Sequence, residues 1–229
     1  MSPSVIPSTS PSQIVNLADL DTANASFMVP WNMYNKNFSI SFWVKPKTVA
    51  MPPAQLTWSQ FIGTEGGGDS WHIGMYSNRI YFGAGDGYSF PTTPAFTAGT
   101  WTHVVCMRNM TTKNRTIYIN GVKFFEGVVT DARGDALLVR NGPAVQYQNL
   151  SSVLFPSSPN EKFNGFFSSL GIWERELAPV EVLAIYNGTR TLDLTLTRIS
   201  GLVGYYKFSP SNGDITDSSG ASKHLKKVL

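Results

Sequence analysis

The sequence predicts an all-β fold in which two antiparallel sheets stack face to face, with one short helix laid against them. Three observations carry this reading. Short runs rich in aromatic and β-branched residues recur along the 229-residue chain, separated by Gly, Pro, Asn and Asp. Two of these runs meet at Asn120-Gly121, the pair best suited to the positive φ angles of a tight hairpin turn. Only one stretch carries a helical pattern and end signals, too little for an α/β architecture. With 42% hydrophobic and 13% aromatic residues the chain can fill a core, and 14% charged residues is far from a disordered composition. The length suits one large sandwich, so we expect a Ser/Pro-rich arm over residues 1–13 and a single domain over 14–229.

Taken in order, the arm contains Pro3, Pro7 and Pro11, which lack backbone donors and cannot sit in a central strand. It carries neither a positive leader region nor an apolar one, so no secretory signal is expected. The run from Phe38 to Val44 alternates apolar and polar residues and places Phe38, Ile40, Phe42 and Val44 on one face. A Gly-rich segment from Gly63 to Asp69 leads into a hairpin of Trp71 to Tyr76 and Ile80 to Gly83. It lacks the Lys-Ser/Thr ending of a phosphate loop and opens onto a strand, which argues against nucleotide binding. Trp101 to Met107 supplies a further strand, Asn109 to Asn114 a polar turn, and Thr116 to Phe125 the Asn-Gly hairpin. Pro179 to Tyr186 reads as the helix, with proline in its first turn and Gly188 past its end, and with Val180, Leu183 and Tyr186 sharing a side.

Charge excludes two partner classes. The net charge of +3 is mild, part of it sits in Lys223, Lys226 and Lys227, and the other cations are scattered, so no nucleic-acid footprint is expected. No stretch approaches the roughly 20 apolar residues of a membrane span. Cys106 is the single cysteine, so no internal disulfide can form; it lies in an apolar run and reads as core filling.

Three stretches in sequence carry a family resemblance. They are Phe38 to Pro46, ending Phe42-Trp43-Val44-Lys45-Pro46; then Trp101-Thr102-His103-Val104 with Tyr118-Ile119-Asn120-Gly121-Val122; then Phe163-Asn164-Gly165 through Ile172-Trp173, Arg175, Leu177 and Glu181 to Tyr186. Together they resemble the laminin G-like members of the concanavalin A-like lectin/glucanase superfamily from about Leu17 to Gly188. The resemblance implies a two-sheet antiparallel jelly-roll sandwich. It departs in two places. Ser168 stands where an acid is usual, which weakens any metal expectation. Leu202 to Phe208, with Asp217-Ser218-Ser219-Gly220, resembles a segment that usually opens such a domain, and here it is expected to close the same sandwich rather than begin another.

Candidate sites follow. Sugars need aromatic faces with amide or carboxylate groups at one rim, and Trp71, Asp86, Tyr88 and Asn141 are the candidates. Calcium would need oxygen ligands converging from loops, with Asp69, Asp86, Asp131 and Asp135 as candidate donors, so calcium is the one cofactor considered. His72 and His103 lie within strands without metal-spaced neighbours and read as structural. Arg133-Gly134-Asp135 matches a short adhesion tripeptide but reads better as a surface turn. Of the Asn-x-Ser/Thr triplets, at Asn24, Asn37, Asn109, Asn114, Asn149 and Asn187, the most accessible acceptors expected are Asn114 and Asn187. Some members of the resembling superfamily are glycosidases, which use paired carboxylates; the nearest pair is Glu174 and Glu176, on one face if they lie on a strand.

The function expected is a non-catalytic binding or adhesion module that recognises glycans or a protein partner through rim loops. The rival is a structural subunit of a large assembly, such as a viral minor coat or spike protein, with the prolyl arm laid on a neighbour. A glycoside hydrolase comes third. The expected setting is an extracellular surface or a virion.

Overall fold

The computed structural model describes residues 15–16, 26–28, 36–49, 58–65, 71–84, 93–128, 147–150, 165–207 and 216–228. In chain order its strands are β1 (Val15–Asn16), β2 (Ser26–Met28), β3 (Phe38–Pro46), β4 (Trp58–Glu65), β5 (Trp71–Tyr76), β6 (Arg79–Ala84), β7 (Thr102–Arg108), β8 (Asn114–Ile119), β9 (Val122–Val128), β10 (Tyr147–Leu150), β11 (Gly165–Trp173), β12 (Leu202–Tyr206) and β13 (Lys226–Val228). Helix α1 (Pro179–Asn187) falls between β11 and β12. They form two antiparallel sheets. A seven-stranded sheet runs β1-β11-β3-β7-β8-β9, with β12 also on β11, and a six-stranded sheet runs β13-β2-β10-β4-β5-β6.

The sheets meet through hydrocarbon. Phe38, Ile40, Phe42 and Val44 of β3, all fully buried, pack with Val104 and Cys106 of β7, Ile117 and Ile119 of β8 and Phe167 and Ile172 of β11, against Ile73, Met75, Ile80 and Phe82 of the other sheet. Phe61 anchors the middle, edge-on to Phe42 at 5.9 Å and to Phe167 at 5.3 Å. Cys106 is part of this core, and burial pushes its thiol pKa up.

The alternate residues of the seven-stranded sheet are buried as well, because α1 and a single turn at Leu194–Leu196 roof its outer face. Val105, Met107, Tyr118, Trp173 and Tyr205 pack there against Leu177, Val182, Ile185 and Leu194. The helix sits on a different face from the one the sequence suggests. Val182 and Ile185 point inward, while Val180 is 74% and Leu183 47% exposed. Val180 to Tyr186 is apolar at every position but Glu181, so its own pattern selects no face. Tethers decide instead. Ser39 Oγ donates to the Arg175 carbonyl at 2.7 Å and accepts from the Leu177 N–H at 3.0 Å. Glu181 takes two guanidinium nitrogens of Arg175, at 2.8 and 2.7 Å, and the Ala178 N–H at 2.8 Å.

The Asn-Gly hairpin forms as expected, with φ of 50° at Asn120 and 77° at Gly121. Asn120 also exchanges hydrogen bonds with His103, accepting from its N–H through Oδ1 and donating to its carbonyl, both at 2.9 Å. A Cβ at Gly121 would lie 3.0 Å from the Tyr186 ring, so helix and hairpin meet without room for a side chain. The C-terminal run closes the sheets: β12 pairs with β11, and β13 with β2. Asp217 holds the intervening turn by accepting from the N–H groups of Tyr205, Ser219 and Lys223. Burial opposes its ionisation, but these donors outweigh it and leave the carboxyl below its ordinary pKa.

Candidate functional site

The rim where β3 ends and β7 and β11 begin brings together side chains from four places in the sequence. Lys45 pairs in register with Phe166 of β11, and Trp101 immediately precedes β7 on the other side of β3. Trp101 and Phe166 are half-buried, their ring centres 6.5 Å apart. Lys45 Nζ lies 4.6 Å from the Phe166 ring centre and 5.4 Å from that of Trp101, and Lys47 Nζ lies 5.3 Å from Phe166. From the segment after α1, the Arg190 guanidinium sits 4.5 Å from the Trp101 ring centre.

Local backbone holds these loops in place. The Gly99 N–H bonds to the Pro46 carbonyl at 2.8 Å, a turn that requires φ of 75° at Gly99. Ser169, at φ 51° within an irregularity of β11, donates its hydroxyl to the Arg190 carbonyl at 2.7 Å. The arginine is thereby fixed at its backbone, while its head rests on an aromatic face.

The electrostatics are one-sided. Lys36, Lys123, Arg175 and Lys207 each meet a carboxylate at 2.5 to 2.7 Å. Among the described residues none meets Lys45, Lys47 or Arg190. Arg190 Nη1 is buried with no acceptor, and burial lowers the guanidinium pKa. A cation over an aromatic ring gains about 0.5 to 2 kcal/mol. A buried unsatisfied donor costs about 1 to 3 kcal/mol. The two are of the same order, so the placement of Arg190 adds little net stability to the fold.

Inward from the rim, Trp43 continues the aromatic surface beneath α1, 5.1 Å from the His103 ring and 5.9 Å from Tyr186. His103 Nε2 is 2.9 Å from Ser41 Oγ, and burial pushes the imidazole pKa down to about 3. The ring is packed and neutral, in keeping with a structural role, but it is not the fully satisfied histidine expected, since Nδ1 is buried with no hydrogen-bond partner among the described residues.

Most residues singled out in the sequence are not part of this rim. Trp71 and His72 lie on β5, where the backbone pairs Trp71 with Ala84 and His72 with Gly83. Asp69, Asp86, Tyr88, Asp131, Arg133-Gly134-Asp135 and Asn141 lie outside the described residues. Among the described residues no group of three or more His, Cys, Asp or Glu could hold a metal. Asn114 opens β8 half-buried, its amide 3.5 Å from Glu126, and Asn187 ends α1 exposed. The shared strand face supposed for Glu174 and Glu176 does not exist, because β11 stops at Trp173. Glu174 instead takes Lys36 at 2.7 Å, and Glu176 takes the Asn109 amide at 2.5 Å. Sequence reasoning passed over Lys45, Lys47, Trp101, Phe166 and Arg190. The local trace was Lys45-Pro46-Lys47 at a strand exit, since lysines there have no sheet face to occupy.

A profile of the concanavalin A-like lectin/glucanases superfamily, of laminin G type, matches residues 19–183, most of the chain and the whole frame of the rim except Arg190. The protein belongs to this superfamily. Among curated sequences none matches this laminin G-like chain significantly. In solved structures it resembles a Bacteroides ovatus protein provisionally named as carbohydrate binding, with TM-score 0.64 and 17% identity over 89% of this chain and 56% of that one. This chain thus spans just over half the length of that protein. A further likeness is to domain 4 of an extracellular arabinanase from Geobacillus stearothermophilus, solved with arabinotriose, at TM-score 0.49 and 20% identity over 69% of each chain. Another is to a mutant of the Trypanosoma rangeli sialidase displaying trans-sialidase activity, at TM-score 0.48 and 16% identity over 67% of this chain and 23% of that one. At these identities the likeness concerns the fold. Among the described residues no helix is long and apolar enough to cross a membrane.

Proposed function

We propose that this laminin G-like sandwich is a non-catalytic recognition module that binds a glycan at the rim formed by Lys45, Lys47, Trp101, Phe166 and Arg190. One observation carries the reading: two partly exposed aromatic rings stand side by side at a rim, with cations around them that no described carboxylate neutralises. Sugar rings present apolar faces flanked by fixed hydroxyls, and an aromatic pair edged with donors complements both. The carbohydrate-binding name of the Bacteroides ovatus neighbour agrees with this choice of ligand class. The reading is non-catalytic because the nearest carboxylate pair is spent on Lys36 and Asn109 at the opposite end of β3.

The test is a glycan array probed with the full chain and with Trp101→Ala. Binding that the variant loses by about 30-fold, roughly 2 kcal/mol of stacking, supports the proposal. No retained glycan, or binding indifferent to Trp101, removes it.

A second reading, a subunit held in an assembly by protein contacts, draws on a different observation. Val122, Phe124, Val180, Leu183 and Leu196 are exposed apolar residues, and Gly121 joins the hairpin tip to Leu183. Light scattering of the purified chain, with Leu183→Lys beside it, separates the two. A large particle that the lysine disperses favours assembly.

A further inference from the structure

We infer that the rim selects an acidic saccharide, one whose sugar unit bears a carboxylate or sulfate, and that Arg190 is the residue that reads the charge. This rests on the glycan-binding reading above and narrows it to one ligand chemistry.

Three cations converge on the two rings at 4.5 to 5.4 Å. The ring centres are 6.5 Å apart and the planes tilted by 54°, so one sugar unit can stack on one ring while its charged substituent meets the cations. A neutral sugar offers hydroxyls, which leave these charges without a counterion. A carboxylate or sulfate supplies one.

Arg190 is placed for this task by two features. Its backbone carbonyl is held by the Ser169 hydroxyl, so the side chain leaves from a fixed point. Its guanidinium carbon lies 4.5 Å from the Trp101 ring centre, and its Nη1 is buried without an acceptor among the described residues. An anion that reaches the exposed part of this half-buried guanidinium gains a charge-assisted hydrogen bond and leaves the aromatic contact intact. Lys45 and Lys47 act as point charges on the Phe166 side. An acidic peptide would use the cations and leave the ring pair idle, so a sugar accounts for more of the site.

The deciding experiment uses the full chain on an array in which uronate, sialylated and sulfated oligosaccharides are printed beside their neutral counterparts. Solution titration of the best pair at low and high salt follows. The acidic member is expected to bind at least about tenfold more tightly, with an affinity that falls as salt rises. Arg190→Gln should remove most of that preference, weakening the acidic member more than its neutral counterpart. Lys47→Gln, at an exposed side chain, should weaken the acidic member about threefold more than its neutral counterpart. Equal binding of acidic and neutral members, or a preference that neither variant alters, overturns the inference and leaves the glycan-binding reading standing. Failure to bind any saccharide overturns both. Capture only by phosphatidylserine vesicles or by an acidic peptide also overturns the inference.

Discussion

The two ends of strand β3 lie on the same sheet face, yet they treat charge in opposite ways. Where β3 begins, Lys36 pairs with Glu174, Arg175 with Glu181, and Glu176 takes the Asn109 amide, while the buried Arg115 bonds the Phe82 carbonyl beside the like-charged Arg108. Where it ends, Lys45, Lys47 and Arg190 lie against aromatic rings and meet no carboxylate among the described residues. The first end is spent on structure, because its bonds hold α1 and the loop after β11 onto the sheet. The second contributes little to holding the fold and is free to meet something else. Between them lies the roofed stretch of Ser41, Trp43 and His103, where polar groups are buried and neutral. Charge without a described carboxylate beside half-buried rings is what the proposed recognition rim would use, whereas paired charge beside a buried helix marks architecture.

The largest expected effect tests the roofed stretch. His103 stays neutral in the folded state down to about pH 3, while in the unfolded chain it takes a proton below its ordinary value of 6.5. Between those limits the unfolded state binds more protons, so stability falls as pH falls, by roughly 1.4 kcal/mol per unit from this residue. Denaturant midpoints from pH 7 to pH 4 should show that slope, and His103→Phe should flatten it. An unchanged slope in the variant would remove His103 from the account.

The next effect belongs to the structural end. Ser39→Ala removes both the donor to Arg175 and the acceptor for Leu177, and should cost about 2 kcal/mol in urea unfolding. A loss below about 0.5 kcal/mol would show that the hydroxyl is not what holds the helix approach. Glu181→Ala breaks the bidentate pair and the helix N-terminal bond; both side chains are partly exposed, so the expected cost is smaller, about 1 kcal/mol.

The smallest effects sharpen the contrast by their sign. Lys36→Gln breaks an exposed pair and should destabilise by less than about 0.5 kcal/mol. Lys45→Gln with Lys47→Gln removes neighbouring like charges and should leave stability unchanged or raise it by a few tenths of a kcal/mol. Equal destabilisation at both ends would erase the distinction drawn between them.

The strands from β5 to β9, with β3, were legible because their signals are local, whereas β1, β2, β4, β10 and β13 were passed over. Period-two alternation set the inward face of β3, and Asn120-Gly121 specified its turn through positive φ. The helix was legible in extent but not in orientation. A stretch apolar on nearly every side takes its rotation from outside, here from Ser39 and Arg175. The rim was not legible either. Its members stand at positions 45, 47, 101, 166 and 190, and no spacing along the chain relates them. Trp101 read as a framework aromatic and Lys45 as the end of a strand, each correct locally and silent about the other.

The amino-acid sequence alone determined that this chain builds two antiparallel sheets over a hydrocarbon core, because alternation, turn chemistry and core composition act between near neighbours. Only the tertiary structure decided which face of α1 is buried and which cations remain without carboxylates. Those outcomes depend on distances between residues far apart in sequence, and such distances exist only once the sheets have paired.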